Sequence, residues 1–158
     1  MADLHIHDFY HDVAKIFLHL YAVFPRKTIL YAEDICGPDQ PDEFGLHHPR
    51  FEAGFSAMVW LAEHGYITFE ETIRQEALDQ AVLSQKAFLL LASRSDLDLL
   101  NPGEDSGLPP SVLEETRTNI SQLRTAVAEG SSITLRRCVT YLLSQAPVGT
   151  GYSPVATR

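Results

Sequence analysis

Basic residues are scarce in this chain of 158 residues. It has 12 lysines and arginines against 21 aspartates and glutamates, which gives a formal net charge of −9. The segment up to Ser95 carries most of the excess, with 7 basic and 14 acidic side chains. An acidic surface repels phosphate backbones, membrane surfaces and acidic ligands. Binding to nucleic acid would therefore need a local basic patch that overrides this average.

Cysteines and long apolar runs are also few. Cys36 and Cys138 form no C-x-x-C pair and are too few for a disulfide framework, so we expect two reduced thiols in a cytoplasmic protein. The N-terminal sequence MADLHIHD has neither the basic region nor the apolar stretch of a signal peptide. The longest apolar run, Ala87 to Ala92, is too short to cross a bilayer, so no membrane partner is expected.

Catalytic motifs are missing as well. The sequence contains no G-x-S-x-G, no phosphate-binding glycine loop and no H-E-x-x-H. Cys36 and Tyr66 are reactive or polar groups for which the sequence identifies no partner. We therefore expect a protein that is not an enzyme and has no cofactor.

Helical periodicity dominates the N-terminal part of the chain. Asp8 is a candidate cap for a first helix that ends at Pro25, and Thr28 to Cys36 is predicted to form a short second helix. An irregular loop follows from Gly37. Pro49 occupies the first turn of a third helix, which closes at His64-Gly65.

Residues 66 to 83 decide the fold class. From Tyr66 to Glu71, alternate residues form two sets of side chains, as on the two faces of a strand. Arg74 to Asp79 are predicted to form a polar tip, and Gln80 to Leu83 the returning second strand. The same segment has the alanine, glutamate, glutamine and leucine content of one long helix. We predict the β-hairpin, and an uninterrupted helix would refute it.

The C-terminal part is predicted to be a helical hairpin over residues 111–146. A linker rich in glycine, proline and acid covers residues 96–110, and a flexible tail covers 147–158. Ser111 opens a capping-box pattern and a helix to Gly130, after which Ser132 caps a last helix. Such a hairpin cannot bury both of its faces alone, so it packs on the first domain or on another subunit.

Two motifs resemble those of winged helix-turn-helix proteins. The segment Leu61-Ala-Glu-His-Gly-Tyr-Ile67 is similar to the junction between recognition helix and wing, L-x-x-x-G-(aromatic or aliphatic)-I. The segment Leu83-Ser-Gln-Lys-Ala87 resembles the L-T-x-K-G opening of the helix after the wing, although Ala87 replaces its glycine. A long loop, residues 37–48, also replaces the tight turn before the recognition helix.

The resemblance extends to MarR-type and PadR-type regulators, and it implies an architecture. The fold would be mainly α with a small β-hairpin, and residues 1–95 would be a winged helix-turn-helix domain. The C-terminal hairpin would serve dimerisation or docking. The resemblance places the binding surface on residues 47–86. This segment contains three basic and six acidic residues, so its net charge is −3. That charge is unfavourable for a surface that should lie against phosphates.

Five residues are candidates for contact with DNA or a protein partner: Arg26, Lys27, Arg50, Trp60 and Arg74. Under the resemblance, Arg50 lies near the front of the recognition helix and Arg74 at the wing tip, where they would contact bases or phosphates. A solvated arginine is the alternative for both. Trp60 is either a core residue or, if exposed, an interface anchor.

A histidine cluster at the N-terminus is the candidate metal site. His7 and His11 are one helical turn apart, and His5 lies beside them among three aspartates. Imidazoles at this spacing can share a transition metal, whereas the alternative is a polar helix terminus.

Three functions remain as hypotheses. The favoured one is a non-catalytic winged-helix regulatory module that acts through protein–protein interaction or as a homodimer through residues 111–146. The second is a regulator that binds double-stranded DNA, and the third is a metal sensor or enzyme that uses the histidines.

Overall fold

The computed structural model describes residues 3–97 and 109–145. Within these ranges the chain is mainly helical, with a small antiparallel sheet of four short strands. In chain order the elements are α1 (Leu4–Val23), β1 (Thr28–Tyr31), α2 (Ala32–Cys36), α3 (Pro49–Glu63), β2 (Ile67–Thr68), β3 (Glu71–Ile73), β4 (Ala77–Leu83), α4 (Gln85–Ala92), α5 (Pro110–Thr116), α6 (Asn119–Glu129) and α7 (Ser132–Ser144). The predicted tail and most of the predicted linker lie outside the described residues.

Helix α1 is the element on which the others pack. Its apolar side chains recur at three- and four-residue spacing, and Val13, Ile16, Phe17 and Leu20 are fully buried. The helix contacts α3, α6 and α7. It begins at Leu4, so Asp8 lies in its second turn and is not the N-cap that the sequence predicted.

Strand β4 is the common partner of the other three strands. Strand β1 pairs with one of its edges, and β2 and β3 pair with the other, all antiparallel. The prediction that residues 66–83 fold back on themselves is confirmed, because Ile67 pairs with Leu83 and Thr72 with Leu78. The returning strand begins earlier than predicted, at Ala77, so the tip of the hairpin is shorter.

The predicted second helix is wrong in its first half. Residues Thr28–Tyr31 form β1, and only Ala32–Cys36 are helical. Two β-branched residues at the start of β1 fit a strand better than a helix. Leu30 is also fully buried opposite Leu78. The free edge of β4 therefore supplies hydrogen bonds and burial that a local helical turn could not match.

The C-terminal hairpin packs on the N-terminal elements of the same chain. Ile120 and Leu123 of α6, together with Val139 and Leu142 of α7, belong to the same hydrophobic core as α1. The Tyr66 hydroxyl donates a hydrogen bond to the Leu143 carbonyl at 3.2 Å. Of the two packing partners expected for this hairpin, the first domain is thus the one observed. No helix within the described ranges has the length and apolarity needed to cross a bilayer.

The bounds predicted for this hairpin need correction. Helix α5 begins before Ser111, and the helix predicted to run to Gly130 is interrupted between α5 and α6. The interruption arises because residues 117–119 pair with 93–95, with the Ser95 amide donating to the Arg117 carbonyl at 2.7 Å. Helix α7 is capped by Ser131, whose hydroxyl accepts from the Thr134 amide, and not by Ser132.

Candidate functional site

The outward face of α3 forms one side of an open groove of about 640 Å³. The α3 residues that line it follow helical spacing, so they share one face. His47 from the preceding loop and Gln75 from the β3–β4 turn complete the lining. The residues on α3 are Glu52, Phe55, Ser56, Val59, Trp60 and Glu63. We call this surface the α3 groove.

The α3 groove is apolar in the middle and acidic at both ends. Phe55, Val59 and Trp60 are half-buried at its centre, whereas Glu52 and Glu63 are exposed. The two glutamates are eleven positions apart, which corresponds to about 16 Å along a helix axis. Among the described residues, no lysine or arginine lines the groove. This surface is therefore suited to a partner that carries apolar groups between positive charges.

Trp60 is held in place by two aromatic neighbours. Its ring lies edge-on to Phe9 of α1, with centroids 5.2 Å apart, and stacks on His64 at 4.1 Å. These contacts fix the indole ring while leaving part of it accessible to the groove. Trp60 is thus neither a fully buried core residue nor a free surface residue, and it has the rigidity of an interface anchor.

A loop contact fixes the start of α3 and one wall of the groove. The Asp39 carboxylate forms a hydrogen bond with Nδ1 of His47 at 2.5 Å. It also accepts a hydrogen bond from the His48 amide at 2.9 Å. His47 stacks on Phe51, and the His48 ring accepts from the Arg50 amide as the N-cap of α3. The predicted Pro49 start of the helix is confirmed.

This contact shifts the pKa values of both partners. The hydrogen bond to Asp39 raises the pKa of His47 above its ordinary 6.5. Partial burial tends to raise the pKa of Asp39, but hydrogen bonds from His47 and from the amides of His48 and Gln40 outweigh it and lower that pKa. The charged pair is therefore favoured at mildly acidic pH.

Arg50 is a structural residue here. Its guanidinium donates to both carboxylate oxygens of Asp12, at 2.8 and 2.6 Å, and its Nε lies 3.5 Å from Asp8. Asp12 is 1% exposed, and its side-chain hydrogen bond is the main cause of the raised pKa of Arg50. The expectation that Arg50 contacts a base or phosphate requires a free guanidinium, and this bidentate pair between α1 and α3 occupies it.

The remaining basic candidates lie apart from the α3 groove. Arg26 and Lys27 are exposed between α1 and β1, and Arg74 is exposed at the tip of the β3–β4 hairpin. Lys86, the third basic residue of segment 47–86, lies 4.3 Å from the centroid of the Tyr66 ring and donates to the His64 carbonyl at 3.0 Å. Of the five predicted binding residues, Trp60 alone lines the groove.

The tip of the hairpin has an unusual backbone. Arg74 and Gln75 adopt φ values of 51° and 59°, in the left-handed region that two-residue hairpin turns require. Asparagine and glycine are the usual residues at such positions, so this turn is strained. The strained turn places Gln75 opposite α3, where it closes one side of the groove.

The predicted metal site is not assembled. The described residues include no group of three or more His, Cys, Asp or Glu side chains that could hold a metal ion. His5, His7 and His11 all lie on α1, where residues two positions apart point in different directions. His11 lies 3.5 Å from buried Asp12, whereas His7 faces toward α7. His7 and His11 keep their spacing of one helical turn on α1, but no described side chain joins them as a third ligand.

Sequence reasoning missed the contacts of Asp12 and Asp39, and it counted the two groove glutamates in the acidic charge of segment 47–86 without placing them on one face. Asp12 lies among the apolar positions of α1, and a charged residue on a buried stripe indicates a buried partner. That signal is present in the sequence. The sequence does not identify the partner, however, because Arg50 lies 38 residues away along the chain. The sequence pattern that could have identified Glu52 and Glu63 is a second row of residues at helical spacing on the outward face of α3, with these two glutamates at its ends.

Comparison of the chain with protein-family models, curated proteins and solved structures finds no match in any of the three. The function must therefore be inferred from the α3 groove and its surroundings.

Proposed function

We propose that this protein is a non-catalytic winged-helix module that binds other proteins through the α3 groove. The order of elements supports the winged-helix part. Helix α1 is followed by β1, α2 and α3, and then by a hairpin that leads into α4. Strand β1 lies against the returning strand of that hairpin. In this interpretation α3 is the recognition helix and the β3–β4 turn is the tip of the wing.

The charge of the exposed α3 face is the observation that carries the protein-binding part. In a DNA-binding winged helix, basic side chains on the recognition helix meet phosphates and base edges. Here Arg50 is paired with Asp12 inside the fold, and the exposed face presents Glu52 and Glu63. Two carboxylates that approach a phosphate backbone would repel it.

The partner expected from this groove is cationic and partly apolar. Phe55, Val59 and Trp60 supply an apolar centre, and aromatic residues in such positions contribute much of the energy of protein interfaces. The flanking glutamates would set the orientation of the partner and favour positive charges near each end of α3. A helical segment with apolar residues between two lysines or arginines has this chemistry.

The experiment uses Trp60, the single tryptophan of the chain, as the reporter. A synthetic amphipathic peptide in which lysines flank leucines is titrated into the protein while Trp60 emission is recorded. We expect saturable binding with a blue shift. Reversal of both groove charges in Glu52→Lys/Glu63→Lys should raise the Kd at least about tenfold, or about 1.4 kcal/mol.

A matched control carries the same change in net charge elsewhere. Glu115 and Glu129 are exposed on α5 and at the end of α6, outside the groove. The variant Glu115→Lys/Glu129→Lys should bind the peptide as the wild type does. Equal weakening in both variants would mean that net charge alone attracts the peptide, and the proposal would fail.

DNA binding is the second candidate, and the exposed Arg74 favours it. In the described residues Arg74 has no acidic group within ion-pair distance, and wing-tip arginines can contact the DNA backbone. Fluorescence anisotropy with a labelled duplex of mixed sequence at low salt tests it. Binding whose salt slope falls by about 1 in Arg74→Ala would establish this candidate. We expect no binding.

A further inference from the structure

A second concave surface, of about 490 Å³, lies between α7 and the N-terminal part of α1. The side chains that line it include basic and hydroxyl groups, whereas those that line the α3 groove include acidic groups. The residues are His7, Leu97, Ile133, Arg136, Arg137, Thr140 and Tyr141. We call this surface the α7 face.

The positive charges of the α7 face are uncompensated. Among the described residues, neither Arg136 nor Arg137 has a carboxylate within ion-pair distance. The guanidinium of Arg136 lies 6.0 Å from the centroid of the Tyr10 ring, and both arginines are exposed. Ile133 beside them is 73% exposed, which is unusual for a large aliphatic side chain. Exposed arginines around an apolar side chain are typical of protein interfaces.

The α3 groove and the α7 face flank the same end of α1. His7 contributes to the α7 face, whereas Phe9, two residues later, contacts Trp60 of the α3 groove. The surfaces are separate, since they share no residue; glutamates border the apolar centre of the α3 groove, and arginines lie beside the apolar side chains of the α7 face. One molecule thus presents two complementary surfaces.

We propose that the α7 face of one copy docks into the α3 groove of a second copy. This inference rests on the proposed function, because it names the protein that occupies the groove. Ile133 would contact the apolar centre. Arg136 and Arg137 are adjacent on α7, whereas the groove glutamates lie about 16 Å apart, so the two arginines would pair with the glutamate at one end of the groove. Guanidinium–carboxylate pairs and an arginine near Trp60 are favourable contacts at an interface.

Charge also decides the symmetry of the contact. A twofold dimer through the α3 groove would bring glutamates against glutamates, and one through the α7 face would bring arginines against arginines. Both arrangements oppose like charges and are disfavoured. The head-to-tail contact pairs opposite charges and leaves one free surface of each kind at the ends. The free surfaces can then meet each other in a reciprocal twofold dimer, in which both contacts form between the same two copies, or bind further copies in a larger ring or an open chain.

The test is the average mass in solution as a function of concentration, measured by sedimentation equilibrium. For the wild type we expect a mass that increases with concentration to that of a dimer or beyond. The variant Glu52→Lys/Glu63→Lys destroys the groove but keeps the α7 face. The variant Arg136→Ala/Arg137→Ala keeps the groove but weakens the α7 face. Each alone should remain monomeric.

Mixing the two variants provides the decisive result. The intact α7 face of the first fits the intact groove of the second, so an equimolar mixture should form a dimer and nothing larger. The control Glu115→Lys/Glu129→Lys should assemble like the wild type. Circular dichroism verifies that each variant is folded, and Glu52→Gln/Glu63→Gln replaces the lysine variant if that one unfolds.

Two outcomes would overturn the inference. One is a wild type that stays monomeric up to its solubility limit, and the other is an assembly that persists in both variants. The peptide titration separates these outcomes from failure of the proposed function. Peptide binding without self-association leaves the groove as a site for another protein, whereas loss of both removes the protein-binding proposal itself.

Discussion

Replacement of Arg50 with alanine should destabilise the fold. Arg50 connects α3 to α1 through two hydrogen bonds to Asp12, whose carboxylate is 1% exposed. Without Arg50 this buried carboxylate would lose both guanidinium hydrogen bonds and keep only the ring of His11, 3.5 Å away, beside it. The cost of removing one partner of a buried ion pair is about 3–5 kcal/mol.

The structure favours the lower end of that range. The Arg50 side chain is 28% exposed, so water can reach the vacated position and solvate part of the carboxylate. Asp8 is 43% exposed and lies 3.5 Å from Nε of Arg50, so its ion pair with Arg50 contributes little to the stability of the fold. We therefore expect Arg50→Ala to lower the free energy of unfolding by about 3 kcal/mol.

Urea unfolding followed by Trp60 fluorescence and circular dichroism measures this change. With an m-value of about 2 kcal/mol per molar, the midpoint should fall by about 1.5 M. The control is Arg74→Ala, which alters an exposed arginine at the hairpin tip and should change stability by less than about 0.5 kcal/mol. A second variant, Asp12→Leu/Arg50→Met, removes both charges and should recover most of the loss.

The reasoning is refuted if Arg50→Ala costs no more than Arg74→Ala. A double variant as unstable as Arg50→Ala would also contradict it, because the buried charge would then not be the cause. If instead Arg50→Ala retained stability and lost a binding activity, Arg50 would be a contact residue as the sequence first predicted.

Three further predictions concern other contacts. The Asp39–His47 pair should stabilise the loop at pH values between the ordinary pKa values of 3.8 and 6.5; the effect should be lost as pH rises through the raised pKa of His47 or falls through the lowered pKa of Asp39. NMR titration of the His47 ring should give a lower pKa in Asp39→Asn, and an unchanged value would contradict the pairing. Gly54→Ala should cost about 2 kcal/mol in urea unfolding, because its Cβ would lie 2.5 Å from the Cys36 sulfur, and added Cys36→Ala should recover part of that loss. Gln122→Met should raise stability by about 1 kcal/mol, measured by thermal unfolding, because no described residue donates a hydrogen bond to the buried Oε1; a loss instead would mean that the side chain is satisfied.

Several local features were predictable because adjacent residues determine them. Pro49 at the first turn fixed the start of α3, and Gly65, with φ of 82°, ended that helix through a conformation that other residues avoid. The helix expected to open at Leu83-Ser-Gln-Lys-Ala87 is present as α4, where the Ser84 hydroxyl accepts a hydrogen bond from the Ala87 amide. Each of these depends on interactions that span four residues or fewer.

Other features depended on partners far away in the chain. The sequence predicted a helix at Thr28, but β4, about 50 residues later, provides the edge with which that segment pairs. Arg50 was expected on the surface because Asp12, the group that binds it, belongs to a different helix. Helix propensity and charge count are local or average quantities, and neither contains these pairings.

The sequence by itself determined most of the helices and the acidic net charge, because these follow from periodicity and composition. For residues 66–83 it favoured the hairpin and left one long helix as the alternative. Only the tertiary structure decided which charges remain available. Packing of α1 against α3 neutralises Arg50, while packing of α7 against α1 leaves Arg136 and Arg137 exposed and without a carboxylate within ion-pair distance in the described residues. An ion pair forms where folding brings two side chains together, so the distribution of free charge is a property of the fold.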